Sequence, residues 1–439
     1  MKRWLVVLLI VVAVIILVSP GIMGRLAEKS VERNLEFATS ESDELVVTTE
    51  SFERGWFTSE GRHRIELREG AVRSTIEEAM GRHAGVPSLV IDTHVDHGLV
   101  PVTSMSRDAG SLKPGLASTM STMQLDPGNG DLIEMPGKIY SDVGLTGVTA
   151  SRFRLEAGSR SFDDLAAEWQ GADIIVKTNP QSGTMSVKGE VQPWSVGKDH
   201  GGLKIGAIAI EGTQERSRYG FNVGDIRMNI GALVLEGNHG LVTGFDSLSI
   251  DASSEIDGDR VNAKSKLEVS GVTAPGVGDI SVAMEVVLGG LDARSFQDIV
   301  QFLRAAGSSS DPESALVDAY PAMEADLRRF LAAGAEIRLD RFDVTLPNGE
   351  LTTRFRFSLP ASDPDAEFSW PGLLLALDAS ADIRLPVALF DMAQAAAPEV
   401  ATLVAMGFFQ RDGDSYEMQA EYAKGLLTVN GAPMPIPLQ

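Results

Sequence analysis

Ile226-Arg227-Met228-Asn229-Ile230 and Leu248-Ser249-Ile250-Asp251-Ala252 decide the fold. In both, every second residue is apolar and the residues between are polar or charged. That period of two belongs to a strand with one face turned away from water. The same pattern spreads outward from this pair. Leu203-Lys204-Ile205-Gly206-Ala207-Ile208-Ala209-Ile210 precedes it, and Val261 to Val269 and Ile280 to Leu288 follow. Nearer the start, Leu45-Val46-Val47-Thr48-Thr49 and Arg64-Ile65-Glu66-Leu67-Arg68 read as strands, the latter closed by Glu69-Gly70. Asp257-Gly258-Asp259 and Asn238-His239-Gly240 carry turn chemistry. Many two-faced strands separated by such turns predict a long antiparallel meander. The spacing varies too much for an exact repeat.

Toward the C-terminus the period changes. Phe296, Ile299, Val300 and Leu303 fall on one helical stripe. Asp311-Pro312 offers an N-cap with proline at the first helical position, ahead of Leu316, Tyr320, Met323, Leu327 and Phe330. Pro321 kinks that segment. Pro386 opens a third helix running to about Phe409, divided at Pro398. Between the helices, Ala335 to Leu346, Pro347-Asn348-Gly349 and Leu351 to Leu359 form a hairpin. Tyr416 to Ala423 and Leu426 to Val429 form another across Lys424-Gly425. Ala432-Pro433-Met434-Pro435-Ile436-Pro437 cannot continue a central strand. The expected fold is mainly β (α+β): a long curved antiparallel meander with C-terminal amphipathic helices packed on one face.

The first residues set an address. Lys2 and Arg3 precede Trp4-Leu5-Val6-Val7-Leu8-Leu9-Ile10-Val11-Val12-Ala13-Val14-Ile15-Ile16-Leu17-Val18, followed by Ser19-Pro20-Gly21. A span needs about 20 predominantly apolar residues, and the run reaches that length if it continues to Met23. The basic start places the N-terminus on the cytoplasmic side. A cleaved signal peptide has the same basic and apolar parts, but no clean Ala-x-Ala site follows Val18. The reading is a transmembrane signal anchor over residues 1–24, then an N-terminal β-rich part over 25–200. Strands plus amphipathic helices occupy 201–439. Leu26, Ser30, Arg33 and Phe37 suggest that the helix continues beyond the membrane. The expected location is the bacterial inner membrane, single-pass, with the body in the periplasm.

Composition excludes several activities. The chain of 439 residues has no cysteine, so thiol catalysis and thiolate metal sites are excluded. Its net charge of −23 disfavours nucleic acid. Asp92, His94 and Asp96 lie at period two, so one strand face carries three oxygen and nitrogen ligands. A solvent-facing polar strip explains them equally well, and His97 points to the other face or enters the turn at Gly98. Ser195-Val196-Gly197-Lys198 matches Ser-x-x-Lys, without the Ser-Asp-Asn and Lys-Thr-Gly that accompany it in penicillin-binding enzymes. Trp194 and Gly197 suggest a loop there. No resident cofactor is implied.

Two elements carry a resemblance. One is Phe52-Glu53-Arg54-Gly55-Trp56-Phe57-Thr58-Ser59-Glu60-Gly61. The other is Tyr422-Ala423-Lys424-Gly425-Leu426-Leu427-Thr428-Val429-Asn430-Gly431. With the anchor, they resemble the YdgA/YihF-like family of bacterial envelope proteins, a domain of unknown function. His97-Gly98 stands where that family tends to carry His-Gly-Pro; here Leu99 replaces the proline and Pro101 follows. Leu291-Asp292-Ala293 entering a helix and the Leu346 to Leu351 hairpin are also similar. The resemblance implies an inner-membrane-anchored periplasmic protein and no catalytic residue. Gly55-Trp56-Phe57 reads as a strand with a close backbone approach at Gly55, its aromatics sealing one sheet end. Gly425 and Asn430-Gly431 read as turns tolerating positive φ.

Together these observations point to a non-enzymatic envelope protein. It would bind a hydrophobic ligand such as lipid in a groove, or an envelope protein partner or a second copy of itself. The groove follows by analogy with AsmA-like envelope proteins. An envelope hydrolase acting on glycan or ester, and a structural spacer, are the alternatives.

Overall fold

The computed structural model describes residues 45–68, 88–98, 115–126, 130, 132–162, 165–198, 201–236, 242–274, 278–307, 325–326, 328–330, 332–347, 349–362, 370–396 and 400–434. The anchor run, the continuation to Phe37, Glu69-Gly70, Asn238-His239-Gly240 and most of the helix expected after Asp311 lie outside them. Among the described residues no helix is long and apolar enough to cross a membrane.

The chain divides into two compact units. The first comprises 1–158, 170–191 and 304–315; the second comprises 159–169, 192–303 and 316–439. The first unit begins with β1 (Leu45–Arg54), β2 (Thr58–Leu67), β3 (Ser88–His97), β4 (Ala117–Asp126), β5 (Ile133–Val143) and β6 (Thr149–Leu155). β7 (Gly158–Phe162) and β8 (Leu165–Trp169) intervene before β9 (Ala172–Asn179) and β10 (Thr184–Val191). Its spatial order is β1-β2-β3-β4-β5-β6-β9-β10, with every neighbouring pair antiparallel. Val95, Leu116, Ala117 and Val143 form its small apolar core. Much of the rest of this interior is polar. Thr93 bonds Ser121 at 2.8 Å and Ser141 bonds Ser151 at 2.8 Å, which satisfies hydroxyls that burial would otherwise penalise.

The second unit holds β11 (Trp194–Lys198), β12 (Gly201–Ile205), β13 (Ile208–Arg216), β14 (Asn222–Ile230), β15 (Leu233–Glu236) and β16 (Val242–Phe245). β17 (Ser247–Asp257), β18 (Arg260–Ala274), β19 (Gly278–Asp292) and helix α1 (Ala293–Gly307) follow. Next are β20 (Glu336–Leu346), β21 (Gly349–Ser358), α2 (Trp370–Ala376), β22 (Asp378–Pro386), α3 (Val387–Ala396) and α4 (Val400–Ala405). β23 (Gln410–Asp412), β24 (Ser415–Ala423), β25 (Leu426–Val429) and β26 (Ala432–Met434) end it. The main ladder runs β13-β14-β17-β18-β19-β20-β21-β22-β24-β25-β26, antiparallel throughout.

The stretch 203–210 is not one strand, as its alternation suggests, but two. Gly206 N–H donates to Ala232 O at 2.6 Å, and Gly231 N–H donates to Ala207 O at 2.7 Å. A Cβ on Gly206 would stand 2.8 Å from Ala232 N, so only glycine permits this approach of two backbones. The break runs across neighbouring strands. Asp246 separates β16 from β17, and its N–H donates to Ser270 O beside Gly271, where φ is +63° and the β18–β19 register shifts. Beyond the break, β12, β15 and β16 pair in order, with β11 and β8 outside β12.

The helices match the expected stripes in part. Asp292 caps α1: its Oδ1 accepts from the Ser295 N–H and hydroxyl, both at 2.8 Å. Phe296 then packs against Val261, Leu291, Ala293 and Ala335. The helix after Pro386 is divided, with α3 ending at Ala396 and α4 beginning at Val400, on either side of Pro398. Phe390 of α3 is buried against Tyr416 and Phe409. The sequence pattern missed α2.

Candidate ligand groove

Successive registers assemble one face of the second unit's sheet from alternating residues. Ile208, Ile230, Leu248, Val269 and Val282 form one row across five strands; Ile210, Met228, Ile250, Leu267 and Met284 form the next. Ile226, Ala252, Ser265 and Val286 make a third row, and Ser254, Ala263 and Leu288 a fourth. β20 extends all four rows with Val344, Phe342, Leu339 and Ile337. The intervening residues face the other way and carry charge. Arg227 pairs with Asp251 (2.8 Å), Lys264 with Glu285 (2.6 Å), and Arg341 and Arg354 both hold Asp343. Burial pushes the Asp343 carboxyl up, but the bonds from Arg354 and Arg341 outweigh it and hold its pKa below the ordinary value. One face is therefore aliphatic and the other is a lattice of ion pairs.

Among the described residues the aliphatic face is fully buried only toward its ends. At one end Val261 and Leu291 are each 1% exposed beneath α1. Toward the other, Phe390 covers Tyr416. Between them the rows are half-buried. A recess of about 230 Å³ opens there, lined by Ile226, Ala252, Ala263, Ser265, Val286 and Leu288 among others. From the Ser254 row to the Leu248 row is three two-residue steps, roughly 20 Å. The arrangement offers a long apolar floor, with the small residues Ala252, Ala263 and Ser265 lining the recess.

The polar residues singled out from the sequence lie elsewhere. Asp92, His94 and Asp96 do share one face of β3, while His97 lies on the other. The Asp92 carboxylate is occupied, receiving Arg62 Nε at 2.6 Å and Arg62 Nη2 at 2.9 Å, bonds that hold its pKa below the usual carboxylate value. His94 Nδ1 is 3.5 Å from Glu60 and its Nε2 3.4 Å from Asp96. Among the described residues no group of three His, Cys, Asp or Glu is placed to hold a metal ion. Ser195 lies in a strand, not a loop, opposite Lys204 and Glu168, and Lys198 closes the same strand opposite Gly201. Their separation is an odd number of positions, so strand parity does not bring them onto one face.

The motif residues have structural roles that distances now define. Gly55-Trp56-Phe57 is the turn between β1 and β2 rather than a strand. Its close approach is real, since a Cβ on Gly55 would meet Thr58 O at 2.8 Å. Its aromatics do not seal the sheet: Trp56 is 57% and Phe57 38% exposed. His97 is buried, its Nε2 3.1 Å from the equally buried Ser59 hydroxyl, and its N–H donates to Phe57 O. This Ser–His contact joins strands 38 residues apart in sequence, which no local spacing reveals. Burial denies it a substrate. At Gly98, φ is +133°. His63 is a second buried histidine, bonded through Nδ1 to Thr49 Oγ1 at 3.0 Å, and burial holds its pKa below the ordinary value. Lys424-Gly425 and Asn430-Gly431 all have positive φ, the geometry of type I′ hairpins. Asn430 also donates to Gly407 O (2.9 Å) and Phe408 O (3.0 Å), tying the end of α4 to the last hairpin.

No curated protein and no solved structure matches the chain. A family model described as "Bacterial protein of unknown function (DUF945)" matches residues 1–437, and the chain belongs to that family.

Proposed function

We propose that this chain is a non-catalytic envelope protein that holds a lipid acyl chain on the aliphatic face of its second unit. The observation that carries this reading is the incomplete burial of four consecutive aliphatic rows on a sheet whose opposite face carries ion pairs. A contiguous apolar face left incompletely covered is the kind of surface that binds ligands. Each methylene removed from water contributes about 0.8 kcal/mol. A floor that covers half of a sixteen-carbon chain thus offers about 6 kcal/mol before ordering costs. The apolar run Trp4–Val18 supports an inner-membrane tether with the body in the periplasm, where such lipids are at hand. That run, the Gly55-Trp56-Phe57 turn and the end motif support a place among the YdgA/YihF-like members of the family.

The test is displacement of a fluorescent fatty acid from the delipidated full chain. Ala252→Trp fills the recess and is expected to abolish binding, whereas Ser249→Trp, at an opposite-face position outside the recess, leaves it intact. Equal binding by both variants, or none by the unaltered chain, contradicts the reading.

A further inference from the structure

We propose that one end of the first unit's sheet docks into the bilayer interface. The registers bring the ends of β1, β3, β5 and β9 and the starts of β2, β4, β6 and β10 to the same end. The described turns there are Gly55-Trp56-Phe57, Gly144-Leu145-Thr146-Gly147-Val148 and Pro180-Gln181-Ser182-Gly183. They expose Trp56 (57%), Phe57 (38%), Leu145 (54%) and Val148 (37%). None of these turns contains an ionisable side chain, in a chain whose net charge is −23. Arg54 closes β1 directly before the first of these turns, and at the opposite end Arg68 and Glu156 follow β2 and β6 directly.

The chemistry of this end selects its occupant. Indole and phenyl side chains are at home in the headgroup zone, where one edge is wet and the rest apolar. The described turns themselves offer apolar and aromatic contact rather than charge, which fits a zwitterionic lipid surface. The chain length permits the contact. β1 carries the turn roughly 33 Å from Leu45. Residues 19–44, between the apolar run and β1, cover about 39 Å as a helix and about 86 Å extended, so either conformation suffices. This inference rests on the tether reading, and the experiment separates the two.

Because the chain has no cysteine, a nitroxide can be placed singly through Phe57→Cys or Leu145→Cys, with Leu132→Cys at the opposite end as control. The full chain is reconstituted in phosphatidylcholine nanodiscs, and collision with oxygen is compared with collision with a water-soluble nickel chelate. Positions 57 and 145 are expected to favour oxygen severalfold over the control, unchanged by salt. Aqueous values at both positions overturn the docking while leaving the tether intact. Immobilised probes with no lipid contact also overturn it, since the end then meets protein. A chain that fails to enter the discs contradicts the tether. The probes are then read with the chain mixed with vesicles of the same lipid, where aqueous values again overturn the docking.

Discussion

Leu267 and Leu291 are the same residue on the same sheet face, in the adjacent strands β18 and β19, yet the groove reading assigns them different energies. Leu291 is 1% exposed, enclosed by Val261, Ala293 and Ala335. Truncating it to alanine loses about 2 kcal/mol of transfer energy and leaves a cavity, for a total of about 3–4 kcal/mol. Leu267 is half-buried between Ile250 and Met284. Its truncation loses most, but not all, of the transfer energy and adds little cavity cost, so the expected cost is about 1.5 kcal/mol. Leu267→Glu extends the contrast. In a sealed interior the carboxylate would cost several kcal/mol; on an open face it stays hydrated, costs about 1–2 kcal/mol, and removes lipid binding. Urea unfolding of the full chain, read by pulse proteolysis, measures all three variants. Equal losses for Leu267→Ala and Leu291→Ala would refute the open face and make it an ordinary core.

Three further outcomes follow from the geometry. Asn430→Ala removes two side-chain donors and strains a residue at φ +49°, so a loss of about 2 kcal/mol is expected, with Asn430→Gly relieving only the strain; urea midpoints separate them. Gly206→Val drives a side chain into the Ala232 backbone and is expected to prevent β12 and β13 from pairing with β15 and β14, seen as lost hydrogen-exchange protection there. His63 is held below its ordinary pKa by burial, so the unfolded chain takes up the proton first. Stability is full above about pH 6.5 and falls as the pH drops from there toward the folded value; His63→Gln is expected to flatten that part of the urea-midpoint profile.

The strands most legible in the sequence are those with one aliphatic face, such as 226–230 and 248–252, because burial on one side imposes the period directly. β4, Ala117–Asp126, escaped notice because its inward residues are largely Ser and Thr, bonded to one another rather than apolar. The break at Gly206-Ala207 is hidden because small residues continue the alternation while the backbone turns. The positive φ of Gly425 and of Asn430-Gly431 is readable from residue type, whereas that of Lys424 is not. The groove was legible only as a possibility of the fold. The alternating pattern specifies which residues share a face, but what covers that face depends on where α1 and α3 pack. Gly55-Trp56-Phe57 misled in the opposite direction: aromatics suggest burial, and here a tight turn projects them outward.

The most direct measurement of the central claim is photocrosslinking of the full chain in native-lipid nanodiscs loaded with a diazirine-bearing phospholipid, mapped by peptide mass spectrometry. The account expects crosslinks in the peptides holding Ile226–Ile230, Leu248–Ala252 and Val282–Leu288, lost in Ala252→Trp. Crosslinks confined to Trp4–Val18 and the turns of the first unit, with none on the aliphatic rows, would contradict it.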